Sequence, residues 1–302
     1  MRSPAYLPPV TGAFADSELP SYASRTFEQL TNEATSMQQS SLAAALARSA
    51  ILDHSSLPDA LAALLATKLS SCAEERKGIR STMAAAFATP AVQRAVLCDL
   101  AKILAADPAV ETLLQPVLFF KGFHALATHR VAHLLWKRGN KACAFLLQSL
   151  ASERFAADIH PGAQIGNGVM LDHATGVVIG GTAVLGSDLY ILHGTTLGAT
   201  GKPTPEGEQR HPTLGDGVTL GAGSTVLGGN VVVGDGATVG AAALVSRSVP
   251  AGSVVVGNNQ VRRPGATTAG SKKGASAGLS HLPRAEVVAA MLFLMAFGPS
   301  RL

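Results

Sequence analysis

The chain has 302 residues, 47% hydrophobic and 15% charged, enough to build a sizeable core in one large domain or two ordinary ones. A formal charge of +4 and an aromatic content of 5% argue against a nucleic-acid partner and against a stacking platform for single strands. Three scattered cysteines, Cys72, Cys98 and Cys143, form no CxxC pair and no complete disulfide framework, so a reducing compartment is expected.

Residues 1–25 read as a flexible leader with prolines and acids but no sustained apolar segment, which is unlike a secretory signal. A cytoplasmic location is expected, with an organelle-targeting role for the leader left open. Residues 26–155 read as a helical domain. "SLAAALARSAILDH" and "SLPDALAALLATKLSS" carry Ala and Leu at helical spacing. In the second, Ser56 is placed to cap and Pro58 sits in the first turn, where its missing N–H costs least. "TPAVQRAVLCDLAKILAADPAV" continues the pattern. "FKGFHALATHRVAHLLWKRGNKACAFLLQSLASERF" reads as a long amphipathic stretch broken into two helices at Gly139-Asn140.

At Ile159 helical spacing stops and a period of six begins. Ile159, Ile165 and Leu171 form one phase group; Ile179, Leu185, Ile191 and Leu197 form the next. Leu214, Leu220 and Val226 follow, then Val233, Val239 and Val245. A small residue often comes next, as in "IGNGVM", "LGDGVT" and "VGDGAT". This hexapeptide repeat predicts a parallel β-helix over 156–263, each hexad giving a short strand whose aliphatic residue points into a continuous core. The phase slips twice. Two extra residues enter around "DHATG", and "ATGKPTPEGEQRHPT" must leave the wall as a polar loop, the kind of excursion that carries function on a rigid scaffold. From Pro264 the composition turns to Gly, Ala, Ser, Thr and Lys, predicting a flexible tail over 264–302. Its apolar run, Val287 to Phe297, falls short of the roughly 18–20 residues that span a membrane, so no membrane anchor is expected.

"DPAV", "KGFHALATHRVAHLLW", "DIHPGAQIGNGVMLDHATGVVIGGTAVLG", "TTLGATGK" and "RHP", dense and in order between about Phe27 and Arg263, resemble serine O-acetyltransferase, the enzyme family that opens cysteine synthesis from serine. The repeat by itself points only to the wider hexapeptide acyltransferases. The resemblance implies an α+β chain: an all-helical domain, then a left-handed parallel β-helix, although ordinary parallel crossovers are right-handed. It also implies a trimer of β-helices, often paired into a hexamer, with acetyl-CoA as co-substrate between neighbouring coils, L-serine as acceptor and L-cysteine as feedback inhibitor. No permanently bound cofactor or metal is expected.

The reaction needs a hydroxyl made nucleophilic. An imidazole titrating near neutrality can accept its proton, which suits His173. Asp158 lies fifteen residues upstream, close to one three-hexad coil, which would place it on the adjacent rung to hold the ring. The resemblance assigns these two residues the same roles, base and orienting partner. Serine also carries a carboxylate and an ammonium. Arg210 can fork onto the carboxylate with His211 as an added donor, and Asp107 and Asp172 suit the ammonium; each matches the family position for that role. Asp107 also reads as a helix N-cap before "PAV". The small residues Ala199, Thr200 and Ala222 suit a groove for the pantetheine arm.

The chain departs from the family pattern in three places: Gly181 stands where Glu is usual, Ala199 replaces the second glycine of "GGTGK", and "VLGGNVVVG" runs one residue longer. Three other readings remain open. His160, His173, His193 and His211 allow a zinc site, which would need three neutral imidazoles. The acceptor hydroxyl could belong to a sugar or a drug. The chain could be an inactive scaffold subunit. In the family a C-terminal isoleucine docks into O-acetylserine sulfhydrylase; here the last residue is Leu302, so weak or absent docking is expected.

Overall fold

Caps and breakers set the helices where the spacing predicts them. The computed structural model describes residues 6–37, 41–203, 205 and 207–262. Its helical part runs through α1 (Leu19–Ser36), α2 (Ser41–Ala47), a π-turn (Arg48–Leu52), α3 (Leu57–Leu69), α4 (Ala73–Phe87), α5 (Pro90–Ala106), α6 (Leu114–Phe119), α7 (Lys121–Lys137) and α8 (Lys141–Phe155). Ser56 accepts the Asp59 N–H at 3.4 Å and caps α3. Gly139, at φ +81°, ends the α7 segment, and Asn140 caps α8 by accepting the Cys143 N–H.

Two expectations change. Residues 6–25 are not a free leader: Leu7 is buried, and Tyr6 accepts from Thr26 through its carbonyl. Arg94 donates to the carbonyls of Gly12 and Phe14 at 2.8 and 2.9 Å, pairs with Asp16, and lies 3.9 Å over the Phe14 ring. One buried-side arginine therefore ties down a segment whose own composition offers little to pack. Nor is α7 amphipathic along its length. Every residue from Gly122 to Ala132 is buried, including His124, His129 and Arg130, because α7 is central, with helices on one side and the β-helix on the other. At Gly122 an added Cβ would lie 1.9 Å from the Leu171 carbonyl, so only glycine allows this approach.

The strands are β1 (Ala157–Ile159), β2 (Gln164–Ile165), β3 (Met170–Asp172), β4 (Val177–Ile179), β5 (Val184–Leu185), β6 (Tyr190–Leu192), β7 (Thr196–Gly198), β8 (Thr213–Leu214), β9 (Thr219–Leu220), β10 (Thr225–Leu227), β11 (Val232–Val233), β12 (Thr238–Val239), β13 (Leu244–Val245), β14 (Val254–Val256) and β15 (Gln260–Arg262). They stack in parallel as three faces of a β-helix. Face A holds β1-β4-β7-β10-β13, face B β2-β5-β8-β11, and face C β3-β6-β9-β12-β14-β15. The hexad aliphatics stack on one another, as in Ile159↔Ile179↔Leu197↔Val226 on face A. All are buried except Ile165, half-buried in the first coil. A second inward position lies two residues earlier, occupied by Val177, Ala183, Leu189, Thr195, Val218 and Ala237, each fully buried.

The helical part and the first coil are joined by a buried ion pair. Arg130 forks onto Asp99 at 2.9 and 3.1 Å and donates to the carbonyls of Ile165 and Gly166; Asp99 also accepts the Val169 N–H at 2.9 Å. The tail expected over 264–302, with Leu302 and the Val287–Phe297 run, lies outside the described residues. Among the described residues no helix is long and apolar enough to cross a membrane.

Candidate active site

The two extra residues after Leu171 sit at the corner between faces C and A. There His173 and Ala174 both take left-handed backbone, at φ +59° and +57°. Two adjacent non-glycine residues in that region cost on the order of 1–3 kcal/mol each, and such strain marks functional corners. The turn pushes His173 out: its side chain is 70% exposed, while Asp172 beside it is 14% exposed. His173 Nε2 stands 3.6 Å from Asp172 Oδ1, and its ring meets that of His193, from the same corner of the next coil, at 5.7 Å. Asp172 Oδ2 accepts from the Tyr190 hydroxyl at 2.8 Å. Lys121, at the start of α7, donates to Thr175 in the same corner.

Asp107 reaches this edge from the helical side. It closes the C-terminus of α5 rather than capping a helix before "PAV", and its Oδ1 accepts the Ala109 N–H at 2.9 Å. The Tyr190 phenol is pushed up by burial first and then by the carboxylates of Asp172 and Asp107, so both predicted ammonium-binding acids act on one neighbourhood. Asp158, on the outer side of β1, accepts from Gln148 Nε2 of α8 at 2.6 Å. Its strand neighbour one coil on is Val178, so it lies at the middle of face A, and its charge acts on His160 rather than reaching the His173 ring as the sequence spacing predicts. His173 has its 3.6 Å approach to Asp172.

The other chemistry lies at the opposite edge of face A, where the chain passes to face B. The polar loop leaves after β7 and returns at Arg210 and His211. Thr182, in the coil below, ties the return down. Its Oγ1 accepts the N–H groups of Arg210 and His211 at 2.9 and 3.0 Å and donates to His211 Nδ1 at 2.8 Å. The Thr182 N–H also reaches Nδ1, at 3.2 Å. Nδ1 is thus an acceptor, and the neutral ring carries its proton on Nε2. Burial, then the charges of Arg210 and His160, hold His211 below the usual histidine range and keep it neutral. His160 is lowered chiefly by burial; Asp158 opposes that and Arg210 adds to it. His160 packs edge-on against Trp136 and Phe145.

The predicted residues therefore fall into two groups flanking face A. Asp107, Asp172, His173 and Ala222 lie at the C/A edge; Ala199, Thr200, Arg210 and His211 lie at the A/B edge, with Asp158 on the face between. The four histidines of the zinc reading divide in the same way, His173 with His193 and His160 with His211. Among the described residues no group of three or more His, Cys, Asp or Glu side chains is arranged to hold a metal ion.

Comparison with known proteins bears on this arrangement. A family profile described as serine acetyltransferase, N-terminal, matches residues 26–128. A probable serine acetyltransferase 4 of Oryza sativa subsp. japonica is 52% identical over 172 residues, covering 56% of this chain and 53% of that protein. The chain thus spans about half the length of that relative. The crystal structure of Neisseria gonorrhoeae serine acetyltransferase in complex with serine is 38% identical and superposes with a TM-score of 0.73, over 79% of this chain and 97% of that one. The chain belongs to the serine acetyltransferase family. The Brucella abortus strain S19 serine acetyltransferase, in complex with coenzyme A, superposes equally well, at TM-score 0.73 and 38% identity over 77% of this chain and 92% of that one.

Against the serine acetyltransferase pattern, the Gly181 departure has a structural counterpart. A Cβ there would stand 2.8 Å from His160 Nδ1, so the imidazole occupies the space that the usual glutamate would enter. Gly180 is tighter still: an added Cβ would lie 1.9 Å from His211 Cδ2. Gly180→Ala is expected to displace the His211 ring and cost about 1–3 kcal/mol in local packing. A lower Tm in a folded protein, read by scanning calorimetry and circular dichroism, checks it. Thr182, Gln148 and Tyr190 were not singled out in the sequence. Each is a common residue in a regular hexad or helix position, and only the coil stacking shows what it holds.

Proposed function

We propose that the chain transfers the acetyl group of acetyl-CoA to the hydroxyl of L-serine, giving O-acetyl-L-serine and CoA. One observation carries the reading: an exposed, strained imidazole with acids beside it at one edge of a face, and an arginine–histidine pair tied down at the other edge. That the serine and coenzyme A complexes belong to relatives of the same fold supports it. In this reading His173 takes the proton as the serine oxygen attacks the thioester carbonyl. The tetrahedral intermediate expels the CoA thiolate, which recovers a proton from the imidazolium. Asp158 orients the base. Asp107 and Asp172 face the ammonium, and Arg210 with His211 faces the carboxylate. Ala199, Thr200 and Ala222 line the pantetheine path. Transfer is direct in this scheme: no cysteine or serine stands beside His173 in a nucleophile motif.

The two groups flank a strand of three residues, roughly 10 Å long. A second copy laid against face A, as in a trimer, would bring one copy's Arg210 edge to the next copy's His173 edge. Thiol release from acetyl-CoA on adding L-serine tests the activity; absence of serine-dependent release rejects it. L-cysteine, isosteric with serine, is expected to compete in the same assay. Arg210→Lys keeps the charge but loses the fork. It is expected to raise KM for serine about tenfold, as loss of one charge-assisted hydrogen bond does, while KM for acetyl-CoA changes little. Equal effects on both would assign Arg210 to loop ordering instead.

A further inference from the structure

The Asp172 carboxylate is anchored by a residue to which the acyl-transfer scheme gives no part. Tyr190, on β6, stacks on Met170 of β3 and is 6% exposed. Its hydroxyl donates to Asp172 Oδ2 at 2.8 Å. The other oxygen, Oδ1, stands 3.6 Å from His173 Nε2, beyond hydrogen-bond reach. The acid is thus held on its deep side while the base beside it stands in solvent. The other groups facing this corner are His193 after β6, Asp107 after α5 and Lys121 through Thr175.

We infer that Tyr190 is a positioning residue whose hydroxyl holds the Asp172 carboxylate off the His173 imidazole, leaving the acid for an acceptor's ammonium and the base for its hydroxyl. The acceptor's identity rests on the proposed serine acetylation; the separation of acid and base does not. A carboxylate that loses its donor turns to the nearest group able to carry a positive charge, here His173. Closing that pair favours the imidazolium, so the neutral base is reached only at higher pH.

Tyr190→Phe removes the hydroxyl and keeps the buried ring. In the full chain, the His173 ring protons followed by NMR are expected to titrate with a midpoint about 0.5–1 pH unit higher than in the unsubstituted protein. KM for serine is expected to rise about 5–20-fold, as loss of a hydrogen bond to a charged group does, with KM for acetyl-CoA unchanged. Adding Tyr190→Phe to Asp172→Asn is expected to leave the midpoint where Asp172→Asn alone puts it. An unmoved midpoint in folded Tyr190→Phe overturns the inference, as does a shift that persists without the Asp172 charge. A midpoint that moves in a protein unable to acetylate serine rejects the acetylation reading and upholds the role of Tyr190.

Discussion

His173→Ala is expected to lose on the order of 10²–10⁴ in kcat while the β-helix stays folded. The side chain is 70% exposed and lies outside the stacked core, so its removal leaves no cavity. It also removes the imidazole that the left-handed corner pushes out beside Asp172, the group proposed to accept the proton of the attacking hydroxyl. The neighbouring His193 ring, 5.7 Å away, belongs to the next coil. Asp158→Asn should lose less, because in the proposed scheme the base remains and only its orientation suffers. Steady-state kinetics with circular dichroism decides the matter; near-normal kcat in folded His173→Ala would remove the residue from the mechanism.

Arg130→Met is expected to destabilise the chain by about 3–5 kcal/mol, the usual cost of leaving one half of a buried pair without its partner. In a chain of this size that corresponds to a Tm lower by on the order of 10 °C. Asp99 is 1% exposed and would keep its Val169 N–H but lose both guanidinium contacts. The carbonyls of Ile165 and Gly166 would lose their donor as well. Asp99→Leu in the Arg130→Met background should recover part of the loss, since no charge then remains buried. Scanning calorimetry of the two variants checks this. Equal Tm values for Arg130→Met and the unsubstituted protein would show that the pair does not hold the helical part to the first coil.

The change of architecture was legible because two periods cannot share one stretch. Helical spacing ends with α8 at Phe155, and six-residue spacing runs from Ile159, so the core side chains of the coils could be named in advance. Ile165 departs because the first coil has a coil on only one side, and the helices that cover that coil pack on β1 and β3, over Ile159 and Leu171. The second inward position was missed because it alternates among Val, Ala, Leu and Thr, and such a mixture shows no periodicity of its own. The docking of residues 6–25 is not legible locally because the anchor, Arg94, lies more than seventy residues away.

The sequence by itself determined the helical and β-helical parts, the break at Gly139-Asn140, the loop that carries Arg210 and His211, and the corner holding Asp172 and His173. These are properties of spacing and of local backbone chemistry, which act over a few residues. Only the tertiary structure decided which residues meet. Three-face coiling sets Asp172 and His173 at one edge of face A and Arg210 and His211 at the other. It brings Tyr190 under Asp172, Thr182 under the returning loop and Gln148 onto Asp158. Those contacts join residues 10 to 29 positions apart. The stacking of one coil on the next and the docking of α8 on β1 select those partners, and a hydrogen bond leaves no period in the sequence to read.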